Sequence, residues 1–124
     1  MAQLWIVRRM SSPAANDYSH AVEKLTMVLE CLATHPGDAR ERVASAYSLC
    51  SHLRADELPD KCRKDWEWIR RELTKLGPFR DSLGRVLRGS AENTMMSVRK
   101  STGTKIAKRF YALYWAVSEN RPYA

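Results

Sequence analysis

From Tyr18 to Val117 large apolar residues recur at spacings of three and four, in one stripe after another. That period lines them along one side of an α-helix, whereas a half-buried strand needs strict alternation. Tyr18, Val22, Leu25, Leu29 and Leu32 form the first stripe, on a helix expected from Asn16 or Asp17 to about Ala33. Pro36 and Gly37 stop it. Asp38 then stands at the N-cap of a second helix, with Glu41 three residues on as the acidic partner of a capping box. This second helix runs to about Leu53 and turns Val43, Ala46, Tyr47, Cys50 and Leu53 inward. So short a link makes the two helices antiparallel neighbours.

A third helix follows Pro59, carries Cys62, Trp66, Ile69, Leu73 and Leu76 on one side, and closes at Gly77 and Pro78. Residues 80–100 repeat the helical spacing with Leu83, Leu87, Ala91, Met95 and Val98. Gly89 interrupts them, at about 1 kcal/mol relative to alanine in a helix interior. The last helix is expected from about Thr104 to Ser118, with Ile106, Phe110, Leu113, Tyr114 and Val117 inward. The predicted fold is all-α: a bundle-like single domain of about five helices over residues 16–120, an antiparallel helical hairpin packed on three C-terminal helices. Residues 1–15 are expected to form a flexible N-terminal arm and 121–124 a frayed C-terminus. "LWIV" at 4–7 is the one strand-like run, and Met10 offers an alternative start.

At 124 residues the chain is long enough to bury most of its apolar groups in one core. The longest apolar run, at 4–7, is far too short to span a bilayer, so no membrane association is expected. Cys31, Cys50 and Cys62 are odd in number and lack C-x-x-C spacing, which points to reduced thiols in a cytoplasmic protein. Charge is lopsided. Residues 1–60 hold six basic and eight acidic side chains, and residues 61–109 hold fourteen and five, for −2 against +9. A block that positive suits a polyanion as well as ordinary solvation.

The segment "VRKSTGTKIAKRF" at 98–110 concentrates this charge around a Ser-Thr-Gly-Thr tetrad. A nucleotide-binding loop requires Gly-Lys-Ser/Thr with a second glycine five residues earlier. Here Thr104 separates Gly103 from Lys105, and the earlier glycine is missing. The tetrad is instead expected to divide two helices, with Gly103 left-handed at the end of one and Thr102 or Thr104 capping the next. The start of that helix, ringed by Arg99, Lys100, Lys105, Lys108 and Arg109, suits one backbone phosphate. Arg85, Arg88 and Arg99 would extend the basic surface if 80–100 were one continuous helix. A helix-turn-helix reader of base edges is disfavoured by the lack of Asn, Gln or Ser on the outer side of the last helix.

Three aromatic residues break the two-faced pattern. Tyr111 and Trp115 share a side with Lys108, away from Ile106, Phe110 and Leu113, and Trp68 lies two positions past the inward Trp66. Outward aromatics fit a protein interface, a base-stacking platform beside Lys108, or a helix covered on both sides. Trp68 has the further option of lying under an arginine.

Convergent catalytic groups are not evident. His20, His35 and His52 lie far apart and make no H-E-x-x-H pattern. Cys31 and His35 lack a second pair for tetrahedral ligation, and Glu23 and Glu30 lack the histidine partners of a di-iron bundle. No metal and no cofactor is expected. The leading expectation is a non-catalytic interaction module, self-associating or a small subunit of a larger assembly, using Trp68, Tyr111 and Trp115. The alternative is a non-specific binder of nucleic-acid phosphates using Arg85, Arg88, Arg99, Lys100, Thr102, Gly103, Lys105, Lys108 and Arg109.

Overall fold

The computed structural model describes residues 17–119; the expectations for the arm at 1–15 and the tail at 121–124 fall outside the described residues. Within them the chain is predominantly helical, with five α-helices and one small two-stranded sheet. Helix α1 spans Ser19–Thr34 and α2 spans Ala39–Cys50. The cap expected at Asp38 is present. Its carboxylate accepts from the Arg40 and Glu41 amides, and Glu41 Oε1 accepts the Asp38 N–H at 3.2 Å. His20 at the start of α1 meets His52 just past α2, ring centroids 5.6 Å apart, as antiparallel neighbours require.

The inner side of α1 is rotated from the expected stripe. Ala21, Val22, Leu25 and Val28 are buried, while Leu29 and Leu32 are half-buried. After α2 the chain makes two short 3-10 turns, Ala55–Glu57 and Asp60–Cys62, and α3 runs Arg63–Thr74. Leu53, Leu58, Trp66, Ile69 and Leu73 are fully enclosed there. Each contributes roughly 1.5–3 kcal/mol relative to exposure. Trp66 sits at the centre. Its ring lies 6.2 Å from Tyr47 and 6.5 Å from Phe110, and its indole N–H donates to the Leu53 carbonyl at 3.1 Å. Gly77 ends this region with φ +70, the left-handed stop anticipated for it. Leu76 is half exposed rather than part of the stripe.

Residues 79–88 depart from the helical expectation. Strands β1 (Phe79–Arg80) and β2 (Val86–Arg88) pair antiparallel, Phe79 with Arg88 and Arg80 with Val86, leaving Leu87 as the extra residue of a bulge. Turn chemistry outweighs the apolar spacing. The Asp81 carboxylate accepts the Leu83 and Arg85 amides, both at 2.9 Å, and Gly84 adopts φ +82. Helix α4 (Ser90–Met95) begins at Gly89, which is therefore a cap position and not an interior kink. The last described helix, α5 (Lys100–Ser118), packs on α1, α2 and α3, while α4 packs on α2 and α3. It seals one contiguous core with Ile106, Phe110, Leu113 and Val117. Among the described residues no helix is long and apolar enough to cross a membrane.

Candidate interaction surface

Helix α5 starts four residues earlier than its sequence suggests, so the Ser-Thr-Gly-Thr tetrad lies inside its first turn and does not separate two helices. Gly103 is helical and buried, not left-handed. It is there because α5 crosses the start of α2 at backbone contact. A β-carbon on Gly103 would stand 2.7 Å from the Arg40 amide nitrogen and 2.9 Å from Ala39 C and Arg40 Cα. Thr102 is half-buried beside it, and Thr104 returns its hydroxyl to the Lys100 carbonyl at 3.3 Å. Arg40 ties the crossing together, donating to Asp38 Oδ2 at 2.8 Å and to the Val98 carbonyl at 3.1 Å.

This crossing sets the rotation of α5. Gly103, Ile106, Phe110, Leu113 and Val117 face the core, which leaves Ser101, Thr104, Lys108, Tyr111 and Trp115 on a solvent-facing line. Tyr111 is 57% exposed and Trp115 52%, so the helix is not covered on both sides. The two rings meet edge to face at 6.3 Å, and half-buried Tyr114 meets Trp115 edge-on at 5.3 Å. Such pairs are worth about 0.5–1.5 kcal/mol and restrict the rings they join. Trp115 is thus held in a defined orientation while presenting half its surface to solvent.

Trp68 behaves differently. It is half-buried on α3, with the Arg109 guanidinium 4.4 Å and the Lys105 ammonium 6.0 Å from its ring. Arg109 also donates to Asp65 Oδ1 at 3.1 Å, so one arginine clasps α3 through an indole and a carboxylate. Trp68 is covered by its own chain, as its option of lying under an arginine anticipated. It stands as a buttress for α5 and not as a free ring beside Tyr111 and Trp115.

The basic residues do not form one face. Arg85 and Arg88 lie on the hairpin, so the outward stripe of Arg85, Arg88 and Arg99 does not exist. Arg85 is engaged by Asp81 at 2.8 Å, and Arg88 lies 4.5 Å above the Phe79 ring and donates to the Met96 sulfur. Arg109 is occupied by Asp65 and Trp68. Among the described residues, Arg99, Lys100, Lys105 and Lys108 have no carboxylate at ion-pair distance. Arg99 is the N-cap residue of α5 and the three lysines lie in its first half, Lys105 on the Trp68 side and Lys108 on the side of Tyr111 and Trp115.

The three histidines, Cys31 and Cys50 have structural partners, and Cys62 is buried in the core. Gly37 N–H donates to His35 Nδ1 at 3.1 Å, so a neutral ring carries its proton on Nε2 and donates it to Ser45 Oγ at 3.1 Å. That is the wrong direction for a histidine activating a serine. Burial pushes the Cys50 thiol up to about 12 and raises Cys62 as well, which disfavours the nucleophilic thiolate. A cleft of about 710 Å³ opens between α2 and α4, lined in part by Glu41, Ser45, Ser48, Ser90 and Glu92. Neither this cleft nor the exposed side chains of the hairpin is legible in the sequence, since both depend on a turn that the apolar spacing conceals. No family model, no curated protein and no solved structure matches the chain.

Proposed function

We propose that this protein is a non-catalytic, cytoplasmic interaction module that meets a protein partner, a second copy or another subunit of a larger assembly, through the outer side of α5. One observation carries the reading: two aromatic rings one turn apart, each more than half exposed and braced edge to face, on a helix whose rotation is fixed by backbone contact at Gly103. Rigid exposed aromatics lose little entropy when a partner covers them, which is why such residues dominate interface energetics. The test is a photoreactive phenylalanine analogue replacing Tyr111 in the native host. A cross-linked product containing a second polypeptide supports the module. Its absence, with the same probe at exposed Arg71 as control, refutes it.

A second reading rests on Lys108, which lacks a carboxylate partner among the described residues and lies one turn before Tyr111 on the same side of α5, with Lys100 and Lys105 earlier on the helix. Cations beside stackable rings suit a single-stranded nucleic acid. A gel shift at low and moderate salt checks this, since phosphate-driven binding falls steeply with salt. No retardation at low salt excludes it.

A further inference from the structure

Of the nine large hydrophobic side chains exposed among the described residues, six lie between positions 76 and 96: Leu76, Phe79, Leu83, Val86, Leu87 and Met96. Leu83 at the hairpin turn is 75% exposed and Leu87 at the bulge 59%. A two-stranded ribbon is marginal in isolation, and both outer edges of this one are unpaired by any described strand. It is anchored at its base, where Asn93 donates to the Gly77 carbonyl at 3.0 Å and the Leu76 amide donates to Thr94 Oγ1 at 3.2 Å. Arg80, which donates to the Gly84 carbonyl at 2.9 Å, and Arg85 are exposed near the turn, and half-buried Arg88 lies at the base beside Phe79 and Met96. Three arginines less Asp81 give this segment a charge of +2.

The complement of this projection lies directly beside it. Gly89 and Ser90, which root the hairpin, also line the α2/α4 cleft. A neighbouring hollow of about 400 Å³ shares Glu41, Ala44 and Glu92 with that cleft and adds Met95 and Met96. Two exposed carboxylates therefore rim a partly apolar hollow, that of Glu92 and that of Glu41, whose Oε1 accepts the Asp38 N–H. The cation lining it, Arg40, is taken up by Asp38 and the Val98 carbonyl. A surface that carries a basic apolar projection next to an acidic apolar recess is self-complementary, which is what a two-fold contact between identical chains requires.

We infer that residues 79–88 are a dimerisation hairpin. Each copy seats Leu83, Val86 and Leu87 in the α2/α4 cleft of a second copy, with Arg80 and Arg88 facing that copy's Glu41 and Glu92. This surface is separate from the aromatic line on α5, so its failure and the failure of the α5 reading are distinguishable. Light scattering of the full chain over a concentration series should give twice the 14.2 kDa chain mass. Arg80→Glu with Arg88→Glu, and separately Glu41→Lys with Glu92→Lys, should each weaken the dimer by roughly a hundredfold through like-charge contact. An equimolar mixture of the two variants should regain it, because every hairpin then meets a cleft of opposite charge. Recovery on mixing also shows that both variants fold.

Four results overturn the inference. The wild-type chain stays at one-chain mass at all concentrations, the dimer survives both reversals, mixing fails to restore it, or Trp115→Ala alone dissolves it. Flotation of one-chain wild-type protein with phosphatidylglycerol vesicles, lost on Leu83→Asp, would assign the hairpin to an anionic lipid surface instead.

Discussion

Gly103→Ala sets two effects of opposite sign against each other. Alanine is the better helix former by about 1 kcal/mol. Its β-carbon, however, would enter at 2.7 Å from the Arg40 nitrogen and 2.9 Å from two main-chain carbons. Comfortable carbon contacts begin near 3.5 Å, so α2 and α5 must part by most of an ångström. The atoms struck are backbone at a capped helix start, fixed by Asp38 and by the Arg40 bond to Val98, and no side-chain rotation relieves them. Overpacking costs about 1–3 kcal/mol, and a clash with fixed backbone falls in the upper part of that range, about 2–3 kcal/mol. With the propensity gain subtracted, a loss of about 1–2 kcal/mol remains. Each kcal/mol moves Tm by roughly 3–6 °C in a domain of this size, so the variant should melt about 3–12 °C below wild type in far-UV circular dichroism. Ser101→Ala, exposed on the same turn, serves as control and should melt at or slightly above wild type. If Gly103→Ala also melts at or above wild type, the close crossing is refuted, and with it the rotation that puts Tyr111 and Trp115 outside.

Removing the clasp with Arg109→Ala should expose the Trp68 indole, read as increased acrylamide quenching of tryptophan fluorescence, with a stability loss of about 0.5–1 kcal/mol. Thr94 is fully buried and accepts the Leu76 amide. Thr94→Val leaves that donor unpaired and should cost about 1–3 kcal/mol, with faster amide exchange across 76–88. In native protein at pH 8 a disulfide reagent should leave Cys50 and Cys62 unreacted, and all three cysteines should react once the chain is unfolded. The Asp38 carboxyl is held at about 2, below its usual 3.8, mainly by the hydrogen bond from Arg40 and then by the backbone amides it caps. Its contribution is therefore full above pH 3.8 and lost as pH falls from 3.8 toward 2. Asp38→Asn should flatten the dependence of Tm on pH in that window.

The first three helices are legible in the sequence because their punctuation is local: Asp38 with Glu41, Pro36 with Gly37, Gly77 with Pro78. The hairpin is not, because Leu83, Leu87, Ala91, Met95 and Val98 fall at helical spacing by coincidence. The deciding information lies in Asp81 and Gly84, whose carboxylate and positive φ build a turn whatever the apolar pattern. Gly103 misleads for another reason. A glycine near polar residues reads as a stop, and only the approach of a helix some sixty positions earlier in the chain makes it an interior residue. The outward direction of Tyr111 and Trp115 was readable from spacing alone. The cover over Trp68 was not, since it comes from Arg109 and Lys105 on another helix.

The core's closing wall, Ile106 to Val117, is also the part of the described chain made last. During synthesis α1, α2 and α3 emerge with their apolar sides bare, and no earlier segment replaces the four residues that cover them. A chain cut short before Ile106 therefore carries an open apolar seam along three helices, the kind of surface on which chaperones and proteases act.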